Sequence, residues 1–366
     1  MKSACNRPVC GVCGEKLVKN GRTSAGRTRW RCLACGASTV KSRPDISARA
    51  QADLFIKWLL EGYSIKQLGI AKTSFATKTA WCWKVRVPKP QVTGEIYDQI
   101  LLDGIYLPYN WCLITATNGK RIIDWQWCQR ENAPAYQALM NRLPPPQVVV
   151  TDGGAGIRKA LRNTWPKTRV QRCLFHVKTN TITDLTRRPK TAAGKALLAL
   201  TNQLLTINTP QEAANWIRLL HQWHQLYQEF INEKTYSTNP NGKTHWWWTH
   251  ERLRRGYKRL ERLSRSENLF TYLEPEFANN NIHRTTNQLE GGINAPIRRL
   301  LNTHRGLSEP HMKKAIQWLI NQKSIDPTDP VKYLTTQHKH LDQEKLSQTQ
   351  PNPPAPPEYD TAIDYN

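Results

Sequence analysis

Two aspartates close apolar runs, and each is followed by glycine. The stretch Gln147 to Ile157 reads QVVVTDGGAGI. Val148, Val149 and Val150 suit a strand buried on both faces, Thr151 and Asp152 end it, and Gly153 and Gly154 turn the chain. Upstream, Ile100, Leu101 and Leu102 run into Asp103 and Gly104. One Asp-Gly pair reads as an ordinary turn; a second copy shifts the weighing toward chemistry. Open sheets work at the carboxyl ends of their strands, where loops escape the packed interior. Two carboxylates brought together there repel, and a divalent cation removes the conflict. Mg²⁺ (or Mn²⁺) takes oxygen ligands and keeps waters for phosphates. Two such ions activate an attacking oxygen and stabilise a leaving one in phosphodiester chemistry. Such a site usually needs a third acid, and Glu290, among apolar Leu289 and Ile293 with Gly291 and Gly292 allowing close packing, is the candidate. Taken alone, Glu290 is a plain helix residue.

The elements that must position these acids are strands. Residues 100–107 and 111–116 form two, Asn118-Gly119 offers a hairpin turn, and 121–128 return as a third. Asn132 caps a helix with Pro134 in its first turn and Tyr136, Leu139, Met140 and Leu143 inward. Strand 147–152, a helix over 157–162 and strand 169–175 follow. The order βββαβαβ is that of an RNase H-like fold, a mixed five-stranded sheet in which the first and fourth strands are neighbours. Asp103 and Asp152 then face each other across adjacent strand ends. Asp124 lies inside a strand between Ile123 and Trp125 and is set aside.

The 366 residues carry a formal charge of +25, which points to a polyanion, most simply nucleic acid. No run of about eighteen apolar residues exists and MKSACNRPVC has no apolar signal segment, so a cytoplasmic, nucleoid-associated protein without a membrane span is expected. Cys10-Gly-Val-Cys13-Gly14 and Cys32-Leu-Ala-Cys35-Gly36 match the two knuckles of a zinc ribbon. Thiolates two residues apart reach one tetrahedral ion, and a following glycine lets the backbone turn its amides toward sulfur. Structural Zn²⁺ is favoured over disulfides or idle thiols, and Cys5 is spare.

Three short helices are expected over 47–85. Phe55, Ile56, Leu59 and Leu60 form a stripe stopped by Gly62; Ser64 with Gln67 makes a capping box; Ser74 caps a third helix. With Lys78, Lys84 and Arg86 on the last, this reads as a helix-turn-helix-like DNA binder. Residues 180–270 read as helical. Thr209, Pro210 and Glu212 start a helix whose Trp216, Leu220, Trp223, Tyr227 and Phe230 form a core stripe. Trp246-Trp247-Trp248 followed by Arg252, Arg254, Arg255, Lys258 and Arg259 is either a packed helix with a solvated basic face or a nucleic-acid clamp. His304 and Arg305 could touch a DNA backbone, as could Arg298 and Arg299.

LLDGIYL, VVVTDGGAGI, RCLFHVK and TTNQLEGGINAPIRRLL, in this order, resemble the Mutator-like superfamily of DDE transposases of bacterial insertion sequences. The likeness runs from the ribbon at Cys10 to about Gln322. It implies an RNase H-like domain interrupted by an all-helical insertion before the last acid. Asp103 and Asp152 then match the two aspartates, Glu290 the glutamate, and Cys173 with His176 a C-x-x-H signature in support of the site. The implied organisation is a zinc ribbon over 1–43, a helical DNA-binding segment and linker over 44–90, the first part of the core over 96–180, the insertion over 181–278, the last core helices over 279–323 and a disordered tail over 324–366. The implied activity is binding of terminal inverted repeats, metal-dependent cleavage, and joining of 3′ hydroxyl ends to target DNA by a homodimer or larger assembly. A regulator that has lost cutting, and an RNase H-like nuclease or resolvase, are the alternatives.

Overall fold

The computed structural model of the protein describes residues 8–10, 12–24, 26–40, 44–347 and 363–364. Cys5 and the Pro-rich stretch 348–357 lie outside the described residues. The chain divides into two units, one of Met1–Pro88, Arg299–Gln322 and Pro327–Glu358, the other of Lys89–Arg298, Lys323–Asp326 and Tyr359–Asn366. No helix among the described residues is long and apolar enough to cross a membrane.

The first unit opens with an antiparallel meander of β1 (Val18–Arg22), β2 (Thr28–Arg31) and β3 (Ser38–Val40). Leu17, Trp30, Cys10 and Cys32 form its small core. So few apolar side chains hold a fold only with a staple. The four cysteines of the two knuckles bring their sulfurs within 4.8 Å of one another. Gly14 and Gly36, at φ +78° and +71°, make the turns that return amides toward sulfur. Backbone amides of Cys13 and Val12 pull the Cys10 thiol down to about 6, and the amide of Cys35 lowers Cys32.

Helix α1 (Pro44–Leu59) follows, then α2 (Lys72–Thr79) with a 3₁₀ turn over Ala80–Trp83. The expected middle helix is absent. Ser64 and Gln67 do bond reciprocally, at 2.8 and 3.2 Å, but they close a single turn that Gly69 ends at φ +64°. Ser74 is no cap, since α2 already begins at Lys72. Two helices separated by residues 60–71 lack the tight turn of a helix-turn-helix. The tail expected to be disordered from residue 324 is helical over Pro330–Ser347. Asp329 accepts the amides of Val331 and Lys332 at 2.9 and 3.0 Å, opening this helix, which buries Leu334.

The second unit is built on a mixed sheet. Strands β4 (Gln99–Tyr106), β5 (Cys112–Thr117) and β6 (Ile122–Cys128) run antiparallel; α3 (Ala133–Met140) crosses over; β7 (Val148–Thr151), α4 (Ala155–Thr164) and β8 (Arg169–Arg172) complete it. The order β6-β5-β4-β7-β8 places β4 beside β7 in parallel, and a two-residue strand at Ile363–Asp364 adds a sixth edge strand to the five expected. Every residue of β5, β6 and β7 is buried; β5 and β7 are apolar or β-branched throughout, as burial on both faces requires, and β6 carries two buried polar residues, Asp124 and Gln126. Asn132 caps α3 by accepting the Ala135 amide at 3.0 Å.

After β8 come α5 (Leu174–Leu185), α6 (Ala192–Gln203) and α7 (Pro210–Ile231). Thr209 and Glu212 make the full capping box of α7. Trp216, Leu220 and Trp223 are buried on its inner face, with Tyr227 and Phe230 packed at the margin. The insertion is not all-helical. Strands β9 (Lys234–Thr238) and β10 (Thr244–Trp248) form an antiparallel hairpin before α8 (Glu251–Arg265). The Thr- and Trp-rich run favours a strand over a helix, and Asn239 with Gly242 at φ +73° supplies the turn. Buried glutamines fasten the returning chain to the sheet. Gln171 bonds Leu269 O at 2.9 Å and Tyr272 N at 3.2 Å, and Gln99 bonds Asn281 O at 3.2 Å and His283 N at 2.8 Å.

Asp124 is a structural acid, as its place inside a strand suggested. Its side chain is 3% exposed and meets Arg142 Nε at 2.6 Å, while Arg142 also bonds Gln126 and the carbonyls of Trp125 and Ala138. Arg142→Met leaves that carboxylate buried without its cation. A loss of about 3 kcal/mol is expected, measured by urea unfolding, and an unchanged midpoint would show the pair to be idle.

Candidate active site

Parallel pairing of β4 with β7 ends at Leu102 opposite Thr151. The next residues are Asp103, still on β4, and Asp152, just past the end of β7. Asp103 lies within β4, which runs on to Tyr106 against β5, and not at its tip. Asp152 stands just past β7, where its Oδ1 accepts the Gly154 amide at 3.0 Å. Gly153 has φ +72°, and a Cβ there would fall 2.0 Å from Arg172 Cζ. Only glycine permits both the turn and the close approach of Arg172, whose guanidinium donates to the carbonyl of Asp152.

A further acid joins this pair. Glu131 sits between β6 and α3, immediately before the Asn132 cap, with Oε2 accepting from Tyr136 Oη at 2.9 Å and Oε1 facing Cys112 Sγ at 3.7 Å. Its carboxylate passes over Gly104, where a Cβ would stand 2.5 Å from Oε1. Gly156, in the first turn of α4, lies so close that a Cβ would be 2.4 Å from the Glu131 carbonyl. Gly104, beside Asp103, and Gly156, in the first turn of α4, therefore make room for Glu131. No periodicity or motif marks this residue in the sequence; the one local signal is an acid preceding a helix cap at the end of a buried strand.

The electrostatics follow from this crowding. Burial pushes the Asp103 carboxyl up to about 7, the charges of Asp152, Glu131 and Glu290 push the same way, and His176 opposes them. Burial, and then Asp152, also raises Glu131. His176 is raised, first by its hydrogen bond with Cys173 and then by the charges of Cys173, Asp103 and Asp152.

Strand β8 ends at Arg172, so Cys173 and His176 open α5 and do not lie on the strand. Cys173 is a joint. Its amide bonds Thr151 O at 2.8 Å, its sulfur accepts from Thr286 N and Oγ1, both at 3.3 Å, and the next amide, of Leu174, bonds Arg284 O at 2.9 Å. The end of β7, the start of α5 and the segment leading to Glu290 are thereby held together.

Glu290 follows α9 (Asn287–Leu289) and opens a π-helical turn, Glu290–Asn294, ahead of α10 (Ala295–Thr303). Gly291 and Gly292 are in open space, so they do not serve close packing. Glu290 bonds Arg298 at 3.3 Å, and its charge reaches Asp103. Among the described residues, only the four cysteines bring three or more ligand atoms within 4.8 Å of one another, so the acids stand wider apart. Their donor chemistry still fits a hard divalent cation: all are carboxylates, and two are raised by burial and mutual repulsion.

The basic residues singled out in the sequence divide. Lys78, Lys84, Arg86, Arg299 and Arg305 are exposed. Arg298 serves Glu290. Arg255 is bound to Asp184 at 2.6 Å, and Arg254 donates to Asn232 and covers the Trp248 ring at 4.0 Å. His304 is buried, bonds Leu59 O at 3.0 Å and packs on Trp58. It is a core histidine, because α1 leaves that carbonyl unpaired at its last turn.

Residues 109–180 match the MULE transposase domain, a segment containing Glu131, Asp152, Cys173 and His176. The transposase for insertion sequence element IS905 of Lactococcus lactis subsp. lactis (strain IL1403) is 27% identical over 107 residues, covering 25% of this chain and 27% of the relative. The transposase for insertion sequence element IS6120 of Mycolicibacterium smegmatis is 29% identical over 119 residues, covering 28% of this chain and 36% of the relative. The chain thus spans about a third or less of the length of these relatives. The matches support a transposase relationship.

Asp103 has a folded-state value of about 7 against an ordinary 3.8. Between those values the folded protein holds a proton that the unfolded chain releases, so stability falls as pH rises through the window. In magnesium-free buffer, Asp103→Asn should outmelt the wild type by on the order of 2 kcal/mol near pH 7.5, and by little near pH 4. A difference independent of pH would refute the burial of this carboxylate.

Proposed function

We propose that the protein is a DNA transposase with an RNase H-like catalytic domain, which cuts element ends and joins their 3′ hydroxyls to target DNA. The observation that carries the reading is that the parallel pair β4 and β7 leads, at its last register position, into Asp103 and Asp152, the second inside the segment alike to a transposase domain. Asp103, Asp152 and Glu290 would hold Mg²⁺ (or Mn²⁺), which supplies charge neutralisation and polarised oxygens at a phosphodiester.

The chain's own groups do the positioning. Asp103 and Asp152 are fixed by the sheet and by the turn at Gly153, so they need no reorganisation to meet a phosphate. Glu131 keeps its carboxylate over Gly104 and raises the negative potential that draws a cation in. His176, raised by Cys173 and by the acids, presents a proton beside them at the head of α5. No serine or tyrosine nucleophile is required. The strong positive charge of the chain serves phosphate binding, which weakens with salt. The cysteine cluster would hold one structural Zn²⁺, whose bonds to sulfur replace the core that residues 8–40 lack.

A duplex ending in the element's inverted repeat should be nicked at the repeat boundary when Mg²⁺ is added, with joined products when target DNA is present. Asp152→Asn and Glu290→Gln should each lower cutting by at least about a thousandfold while end binding persists. Cutting by Asp152→Asn at the wild-type rate sinks the assignment, and cutting without joined products leaves a nuclease. Metal analysis should find one zinc per chain, lost in Cys13→Ser together with the melting transition of the ribbon. A ribbon that melts identically with and without zinc would reject the staple.

A further inference from the structure

The hairpin β9–β10 displays aromatic side chains that the rest of the insertion buries. Trp246 and Trp247 are 51% and 48% exposed and Tyr236 is 62% exposed, whereas Trp216 and Trp223 lie in the core. The register pairs Trp246 with Tyr236, Trp247 with Thr235 and Trp248 with Lys234. Side chains alternate along a strand, so Trp246 and Trp248 share one face and Trp247 takes the other. The first face is braced by cations: Lys234 Nζ lies 4.3 Å from the Trp246 ring and 5.3 Å from that of Trp248, and Arg254 covers Trp248.

Trp247 differs. Among the described residues no ring or cation stacks on it. It lines a groove of about 540 Å³ whose far wall is the α5–α6 connection, with Arg188, Lys190 and Arg252 among the lining groups. Two acids also line the groove, and both are answered from outside it. Asp184 is clamped by Arg255 and Arg259 at 2.6 and 2.7 Å, and Glu251 faces Arg255 at 3.8 Å. Arg188 and Lys190 have no carboxylate partner among the described residues. The groove therefore offers an open indole face beside uncompensated cations, in a volume that suits a small planar ligand.

We infer that this groove binds unpaired nucleotides of a DNA strand, with a base on Trp247 and phosphates on Arg188, Lys190 and Arg252. Paired bases in a duplex present only their edges, so an indole face can be used only by a base out of the stack. An apolar protein partner would fit the tryptophan but would bury the three cations. The groove lies on the helix that carries His176: Asp184 is two turns further along α5, about 12 Å. The preference for DNA over RNA rests on the proposed function; the groove itself rests on the hairpin.

The test uses the full-length zinc-loaded protein in magnesium-free buffer and fluorescence anisotropy of labelled oligothymidylate, the matching duplex and oligouridylate. Trp247→Ala should weaken oligothymidylate about tenfold or more, with duplex affinity within about twofold of wild type. Trp247→Phe should retain most of the single-strand affinity, because a ring remains. Arg188→Ala with Lys190→Ala should flatten the salt dependence for oligothymidylate. In the unmutated protein, 5-iodouracil placed in the strand should cross-link to the tryptic peptide containing Trp247, a readout that does not depend on any variant folding. Unchanged oligothymidylate affinity in Trp247→Ala, equal losses for strand and duplex, or cross-links confined to other peptides would each overturn the groove. Tighter binding of oligouridylate than of oligothymidylate would overturn the DNA assignment. None of these readouts needs cutting, so a dead catalytic site and a failed groove give different results.

Discussion

Like charges gathered where two central strands of a buried sheet part are the constraint on which this fold turns. Asp103 sits inside a strand, and its neighbours Asp152, Glu131 and Glu290 all raise the cost of its charge. A sheet that wanted only stability would place a threonine or valine there. The surrounding structure instead keeps the carboxylates close. Gly153 admits Arg172 over the Asp152 turn, Gly104 admits the Glu131 carboxylate, and Gly156 lets α4 settle on the Glu131 backbone. These glycines are the steric counterpart of the repulsion, since any side chain would force the acids or their supports apart.

The same region must also receive a chain that has been away for some hundred residues. It returns by hydrogen bonds more than by apolar packing. Gln99 and Gln171, buried on β4 and β8, take the backbone of residues 269–283, and Cys173 takes that of Thr286. A buried amide that meets two backbone groups is satisfied only in one register. The insertion can therefore carry its own core, centred on Trp216, Trp223 and Tyr257, without loosening the position from which Glu290 is launched.

How much of this was legible follows from how local each feature is. The β-branched run into Asp152, the knuckle spacing, the Thr209 box and the Trp216 stripe are set by neighbours within a few residues, and the structure has them where the sequence suggests. One residue is missed and two readings fail, all for non-local reasons. Glu131 carries no pattern because its role comes from Gly104 and Gly156 folding over it. His304 looks like a surface residue until α1 presents Leu59 O to it. The tryptophan run, read as helical with the rest of residues 180–270, is a strand because the turn at Asn239 and Gly242 pairs it with the segment before it. Ser64 and Gln67 show the converse, a local signal satisfied in full without the helix it usually announces.

The two clusters of ligand-type side chains differ in a way that charge explains. Four cysteine sulfurs lie within 4.8 Å of one another because thiols share protons, as between Cys10 and Cys35 at 3.6 Å and Cys13 and Cys32 at 3.3 Å. Carboxyl groups do this near neutral pH only where one is pushed up, as Asp103 is. A pair of unit charges 4 Å apart costs about 4 kcal/mol at an effective dielectric of 20, and each further acid adds to it. Among the described residues the acids do not bring three ligand atoms within 4.8 Å of one another, and Glu290 is carried by an irregular turn. Glu290 begins a π-helical turn followed by two glycines in open space, and its bond is to Arg298, a half-exposed partner. π-Turns of this kind lie a small register shift from regular helix. On the proposed reading Glu290 would help Asp103 and Asp152 hold a cation, and the glycines leave open space around it while Leu289 and Ile293 stay buried.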